Sequence, residues 1–249
     1  MIDIEYQDGV QVLKLNHGIT NPINLPLVNE LSETIGNIRE DPNVNSLVLT
    51  SSNEKFFSMG FNIPELYQLD RDDFKVFFHG FNRLCMDLYT LSKPTVAAIS
   101  GHAIAGGCIL TFCCDHRFIS EGRKLMGLNE IKLGVPIPYP GERILYQLIG
   151  ERYAYEMVST GEFYQPSDLY RMGLVDEVVS PGKLLLRSVE KASSIGTMPT
   201  NAFRIIKQNR TEPVITQVRK YPQELEESFL DCWFSPSTRV RLEEAMKKF

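Results

Sequence analysis

The chain is poor in the residue groupings that build several common kinds of site. Its five cysteines, Cys85, Cys108, Cys113, Cys114 and Cys232, form no CxxC pair, and His17, His79, His102 and His116 are scattered. A zinc centre is therefore not expected, and the thiols read as reduced and mostly buried. No dense run of Lys or Arg occurs and the net charge is -5, which argues against a nucleic-acid surface. No apolar stretch reaches the roughly 18 residues of a membrane span. Neither a signal-peptide pattern near Met1 nor a Ser-Lys-Leu address at Phe249 is present, so a cytoplasmic location is the default expectation. There is no internal repeat and no low-complexity linker. What remains is 249 residues, 43% of them hydrophobic, enough for a sizeable core in one or two domains.

Local patterns supply the elements. Ile2 to Tyr6 and Val10 to Leu15 flank Asp8-Gly9 and predict a hairpin. Leu27, Leu31, Ile35 and Ile38 recur at helical period between Leu25 and Arg39. Strands and helices alternate to about residue 180. Beyond Gly182 the pattern is helical only, over Leu184–Ile195, Asn201–Arg210, Gln223–Phe234 and Pro236–Lys248, with Ser235-Pro236 as the start signal of the last.

Two strand-glycine-helix junctions carry the chemical interest. Pro94 to Ser100 is short, β-branched and bounded by Pro and Gly, as a buried strand is. Gly101-His-Ala-Ile-Ala-Gly-Gly-Cys-Ile-Leu110 follows, and Gly107 to Cys114 reads as a helix. Glycines let a helix start approach a polarised oxygen, and the unpaired N–H groups of the first turn supply donors. A second junction runs from the strand Val44–Thr50 through Phe56-Phe-Ser-Met-Gly-Phe-Asn-Ile63, with Asn62 as the expected N-cap and the Met59 N–H as the expected donor. Each junction alone is equally readable as a tight turn with close packing.

In this order the two junctions resemble those of the crotonase superfamily, the enoyl-CoA hydratases and isomerases. The likeness continues through Cys114-Asp-His-Arg-Phe-Ile119, Gly127-Leu-Asn-Glu-Ile-Lys-Leu-Gly134 and Gly161 to Val179. It implies an α/β fold, a spiral of ββα units over residues 1–181, and a helical oligomerisation or lid region over 182–249. It also implies acyl-CoA chemistry through a thioester enolate, with the carbonyl oxygen held by the N–H groups of Met59 and Gly106. Ser58, Gly60, Phe61, Ala105, Ile109, Leu128, Pro138 and Tyr139 are the expected substrate-binding residues. The aromatics Tyr67, Phe74, Phe77, Phe78, Phe81 and Tyr89 would border the acyl chain or simply pack the core. No metal or redox cofactor is implied beyond the CoA thioester. A homotrimer or hexamer is, with Phe229, Trp233 and Phe234 at an interface, at the pocket or in the tail's own core.

The acid-base groups decide the reaction. Hydratases of the superfamily place one glutamate just after the Gly-Gly pair and another in the Gly-Leu-Asn-Glu segment; here those positions hold Ile109 and Glu130. Adding water needs two positioned groups, whereas a proton shuttle needs one base. The pattern resembles the Δ3,Δ2-enoyl-CoA isomerases, with Glu130 moving the proton. Burial among Leu128, Ile131 and Val135 would raise its pKa toward the range of a general base. The alternatives are hydration with Glu142 as a replacement carboxylate, decarboxylation with Tyr139 as a pocket group, and a non-catalytic acyl-CoA binder. Cys108 and His102 lie near the second junction, as packed residues or as site groups.

Overall fold

The apolar runs build two sheets in the computed structural model, which describes residues 1–220 and 222–247. β1 (Ile2–Gln7) and β2 (Val10–Leu15) pair antiparallel. Between them Asp8 and Gly9 both have positive φ, 50° and 81°, the backbone that a two-residue hairpin turn requires. α1 (Leu25–Glu40) starts where Asn24 accepts the Leu27 N–H at 3.1 Å. Then come β3 (Ser46–Ser51), β4 (Phe56–Ser58), α2 (Ile63–Leu66), α3 (Arg71–Tyr89), β5 (Thr95–Ile99), β6 (His102–Ile104), α4 (Gly106–Phe112) and β7 (His116–Ser120). β8 (Met126–Gly127), α5 (Glu130–Leu133), α6 (Tyr139–Thr160), β9 (Phe163–Tyr164), α7 (Pro166–Met172) and β10 (Glu177–Val179) complete the alternating part.

The larger sheet has the order β1-β2-β3-β5-β7-β10 and is parallel from β2 onward. Every residue of β3 and β5 is buried, because both faces are covered, as parallel sheets require. Leu47, Leu49, Ala97 and Ile99 join the main core, while Val48, Val96 and Ala98 join a second cluster closed by Leu184, Val189 and Ala192. This is the two-residue alternation of a strand. The smaller sheet, β4-β6-β8-β9, carries both glycine junctions at the ends of β4 and β6.

Among the described residues four helices follow: α8 (Leu184–Gly196), α9 (Thr200–Lys220), α10 (Pro222–Trp233) and α11 (Pro236–Met246). α9 runs ten residues past the expected end at Arg210, through Pro213. The predicted ends of the last helix, Lys248, and of the chain, Phe249, lie outside the described residues. Ser235 accepts the Thr238 N–H and starts α11 as its sequence indicates. Asn62 stands at the start of α2 but makes no cap bond there, since its side chain donates to Glu65 at 2.7 Å. Among the described residues no helix is long and apolar enough to cross a membrane.

α9 is anchored by a buried charge cluster. Lys207, 3% exposed, donates to Asp115 at 2.8 Å and to the Lys93 carbonyl at 3.1 Å, while Arg210 reaches the other Asp115 oxygen at 2.5 Å. Burial pulls the Lys207 pKa down, and Asp115 opposes the shift. Lys207→Met is expected to cost about 3 kcal/mol in denaturant unfolding, the lower end for breaking a buried pair because Arg210 still neutralises Asp115.

Candidate active site

The first junction is stitched to the loop that precedes α1. Asn21, buried and at φ 47°, donates to Ser51 Oγ at 2.8 Å and to the Phe57 carbonyl at 2.9 Å, and accepts the His17 N–H at 2.8 Å. Its own carbonyl accepts the Ser58 hydroxyl at 2.7 Å. Ser58 is thus fully buried and spent on backbone, accepting the Gly60 N–H as well. The Met59 N–H donates to the Thr20 carbonyl at 3.0 Å.

That bond corrects the expected donor. Ile23 and Phe61 form a parallel bridge in which Ile23 N–H bonds the Gly60 carbonyl and Asn62 N–H bonds the Ile23 carbonyl, each at 2.8 Å. In such a bridge the N–H of the bridged residue points away from its partner. No hydrogen bond among the described residues uses the Phe61 N–H. The free donor of this turn is therefore at Phe61, two residues beyond Met59.

The second junction lies against the first. Gly60 has φ 87°, and a Cβ there would stand 3.0 Å from the Ala105 Cβ and 3.1 Å from the Gly106 nitrogen. A Cβ on Gly107 would stand 2.4 Å from the Ser58 carbonyl oxygen, so only glycine allows the two turns to meet. Ala105 sits at φ 50°, ψ -124°, a region costly for a side chain. It is held there by Ala105 N–H to Gly127 carbonyl at 2.9 Å and Ile109 N–H to Ala105 carbonyl at 3.0 Å. α4 begins at Gly106, one residue earlier than its sequence indicates, and its first N–H is likewise unused among the described residues.

These turns border a cavity of about 370 Å³ that also takes in Glu130 and Pro138. Glu130 opens α5 and is 6% exposed, with Oε2 sealed and without a hydrogen-bond partner. Burial pushes its pKa up to about 8, opposed only by its own backbone N–H. Leu128 and Val135 are buried nearby, but Ile131 turns outward at 51% exposure and does not contribute. Asn129, which sequence reasoning passed over, borders the same cavity and has its Oδ1 sealed without a partner. No other carboxylate among the described residues lines this space.

The family profile for enoyl-CoA hydratase/isomerase matches residues 5–243. The chain belongs to this family. Enoyl-CoA delta isomerase 1, mitochondrial, of Mus musculus is 31% identical over 180 residues, which are 72% of this chain and 62% of that protein, less than two thirds of its length. Short-chain-enoyl-CoA hydratase of Clostridium acetobutylicum is 30% identical over 206 residues, 82% of this chain and 78% of that protein. The crystal structure of human mitochondrial delta3-delta2-enoyl-CoA isomerase superposes with a TM-score of 0.95 at 23% identity, covering 99% of this chain and 97% of the other. The fold is the crotonase fold.

Several residues expected at the site of this family member stand elsewhere. Ile109 is fully buried against Gly141 and Leu128 is equally buried in the core, and neither borders the cavity. Tyr139 and Glu142 border a different cavity, with Arg143 5.3 Å from the Tyr139 ring and 3.4 Å from the Glu142 carboxylate. His102 accepts the Leu125 N–H at 3.0 Å, and burial, with Lys124, Lys55 and Arg123, lowers its pKa. The Cys108 thiol is pushed well up, by burial first and then by Glu130, which removes it as a nucleophile. Of the α3 aromatics, Phe74, Phe77, Phe78 and Phe81 pack in the core. The aromatic walls of the cavity are Phe61, Phe163, Phe229 and Trp233. The last two come from α10, so the helical tail roofs the cavity of its own chain.

Proposed function

We propose that the chain is a Δ3,Δ2-enoyl-CoA isomerase in which Glu130 carries a proton from C2 to C4 of the acyl chain. The observation that carries this reading is the solitude of Glu130 in its cavity. The relatives include both an isomerase and a hydratase at similar identity, and the single carboxylate favours the first. Ionised Glu130 takes a proton from C2 and the electron pair moves onto the thioester oxygen. The N–H groups of Phe61 and Gly106 are the proposed donors to that oxygen, fixed before charge develops on it. Glu130 then returns the proton to C4, and the double bond ends between C2 and C3 with no atom gained or lost. Hydration would need a second group to hold and deprotonate water. Glu142 and Tyr139, the residues offered for that part, line the other cavity.

The helical region from residue 182 acts in this reading as a lid through Phe229 and Trp233, and as the contact of a trimer. Exposed Ile205 and Ile206 on α9, 49% and 66%, support the second role. The functional test is product analysis on 3-enoyl-CoA and 2-enoyl-CoA thioesters. The isomerase reading expects 2-enoyl-CoA from the first and almost no water adduct from the second. Rapid formation of 3-hydroxyacyl-CoA would overturn it.

A further inference from the structure

A second cavity of about 330 Å³ lies back to back with the first. Phe229 belongs to the walls of both. The segment joining α5 to α6, with the first residue of α6, completes the partition: Val135 and Pro138 lie on the Glu130 side and Pro136, Ile137 and Tyr139 on the other. The Phe229 ring is 2% exposed, stacked 4.0 Å from Phe78 and 6.4 Å from Trp233, so it stands as a fixed wall. Beyond it the second chamber is mostly apolar, with Met86, Val218 and Leu225 in its lining beside the polar Asn82, Glu142 and Glu226. Its mouth is marked by His79 and Arg83, whose side chains are 67% and 77% exposed.

We infer that Phe229 is the chain-length stop of the acyl site, and that the second chamber is an apolar extension which this one ring closes to the chain. The inference rests on the acyl-CoA reading above. In that reading the thioester end is fixed by the Phe61 and Gly106 N–H groups and by Glu130. The chain then runs toward the aromatic wall, and a longer chain can continue only by displacing a ring that is packed on three others, Phe74, Phe78 and Trp233. Removing the ring joins two chambers of similar size whose lining suits further methylenes.

The test is calorimetric binding of saturated butyryl-, hexanoyl-, decanoyl- and tetradecanoyl-CoA to the wild type, Phe229→Ala and Phe229→Leu, with folding checked by circular dichroism. In the wild type affinity should climb by about fourfold per buried methylene and then stop climbing within the series. In Phe229→Ala the climb should extend to longer chains, raising the ratio of tetradecanoyl to hexanoyl affinity at least tenfold. Phe229→Leu should show the same shift in smaller degree if truncation to alanine prevents folding. Adding Leu225→Trp to either variant should refill the chamber and cancel the shift. A wild-type affinity that keeps climbing to tetradecanoyl-CoA, or an unchanged ratio in a folded variant, overturns the inference. Failure of every chain length to bind the wild type overturns the acyl-CoA reading itself, and with it this inference.

Discussion

Glu130→Gln is expected to lower turnover of a 3-enoyl-CoA by about a thousandfold or more, toward the upper range for losing a general base, with acyl-CoA affinity within a few fold. The substitution keeps shape and removes only the proton-accepting oxygen. Because burial holds the wild-type carboxyl near a pKa of about 8, kcat/KM should rise with pH through that value as the base ionises. Stability should move the other way. The unfolded chain releases this proton near 4.5, the ordinary value, so between there and about 8 the native state binds more protons. The wild type then loses stability relative to Glu130→Gln as pH rises from about 4.5 to about 8, where the loss levels off at up to a few kcal/mol in urea unfolding. A mutant with near-normal turnover would remove Glu130 from the mechanism.

The second large effect concerns the thioester oxygen. Replacing Phe61 by its α-hydroxy analogue, phenyllactic acid, exchanges one peptide N–H for an ester oxygen and leaves the ring in place. Turnover should fall by about a hundredfold to a thousandfold, the loss seen when one oxyanion donor is deleted. The corresponding ester at Met59 removes a bond to the Thr20 carbonyl and should cost only about 1 kcal/mol of stability. If the Met59 ester abolishes turnover and the Phe61 ester does not, the donor assignment is reversed.

Which of these N–H groups is free was not legible in the segment Phe56–Ile63. It depends on Thr20 and Ile23, some forty residues upstream, whose own sequence carries no mark of the pairing. The glycines of the second junction were more legible, because close approach of two backbones leaves a residue type behind. The fold was legible for the same kind of reason: β3 and β5 hold short apolar runs, Leu47–Leu49 and Val96–Ile99, α1 has a clear helical period, and Ser235-Pro236 marks a helix start. Lining residues were harder. Ile109 and Leu128 adjoin site positions in the chain, yet α4 and the segment after β8 turn these neighbours into the core. Tyr139 and Glu142 are close to Glu130 in sequence, but the start of α6 carries them to the far side of the partition. Phe229 and Trp233 belong to a helix whose pattern announces burial without saying against what.

The central claim, transfer by one sealed base, is tested most directly with 3-enoyl-CoA deuterated at C2. A carboxyl on a residue only 6% exposed, with Oε2 sealed, should return part of the label to C4 before it exchanges with water. The expected product is 2-enoyl-CoA with deuterium at C4, absent when Glu130→Gln is used. Isomerisation with no deuterium at C4, or 3-hydroxyacyl-CoA in place of the isomer, would contradict it.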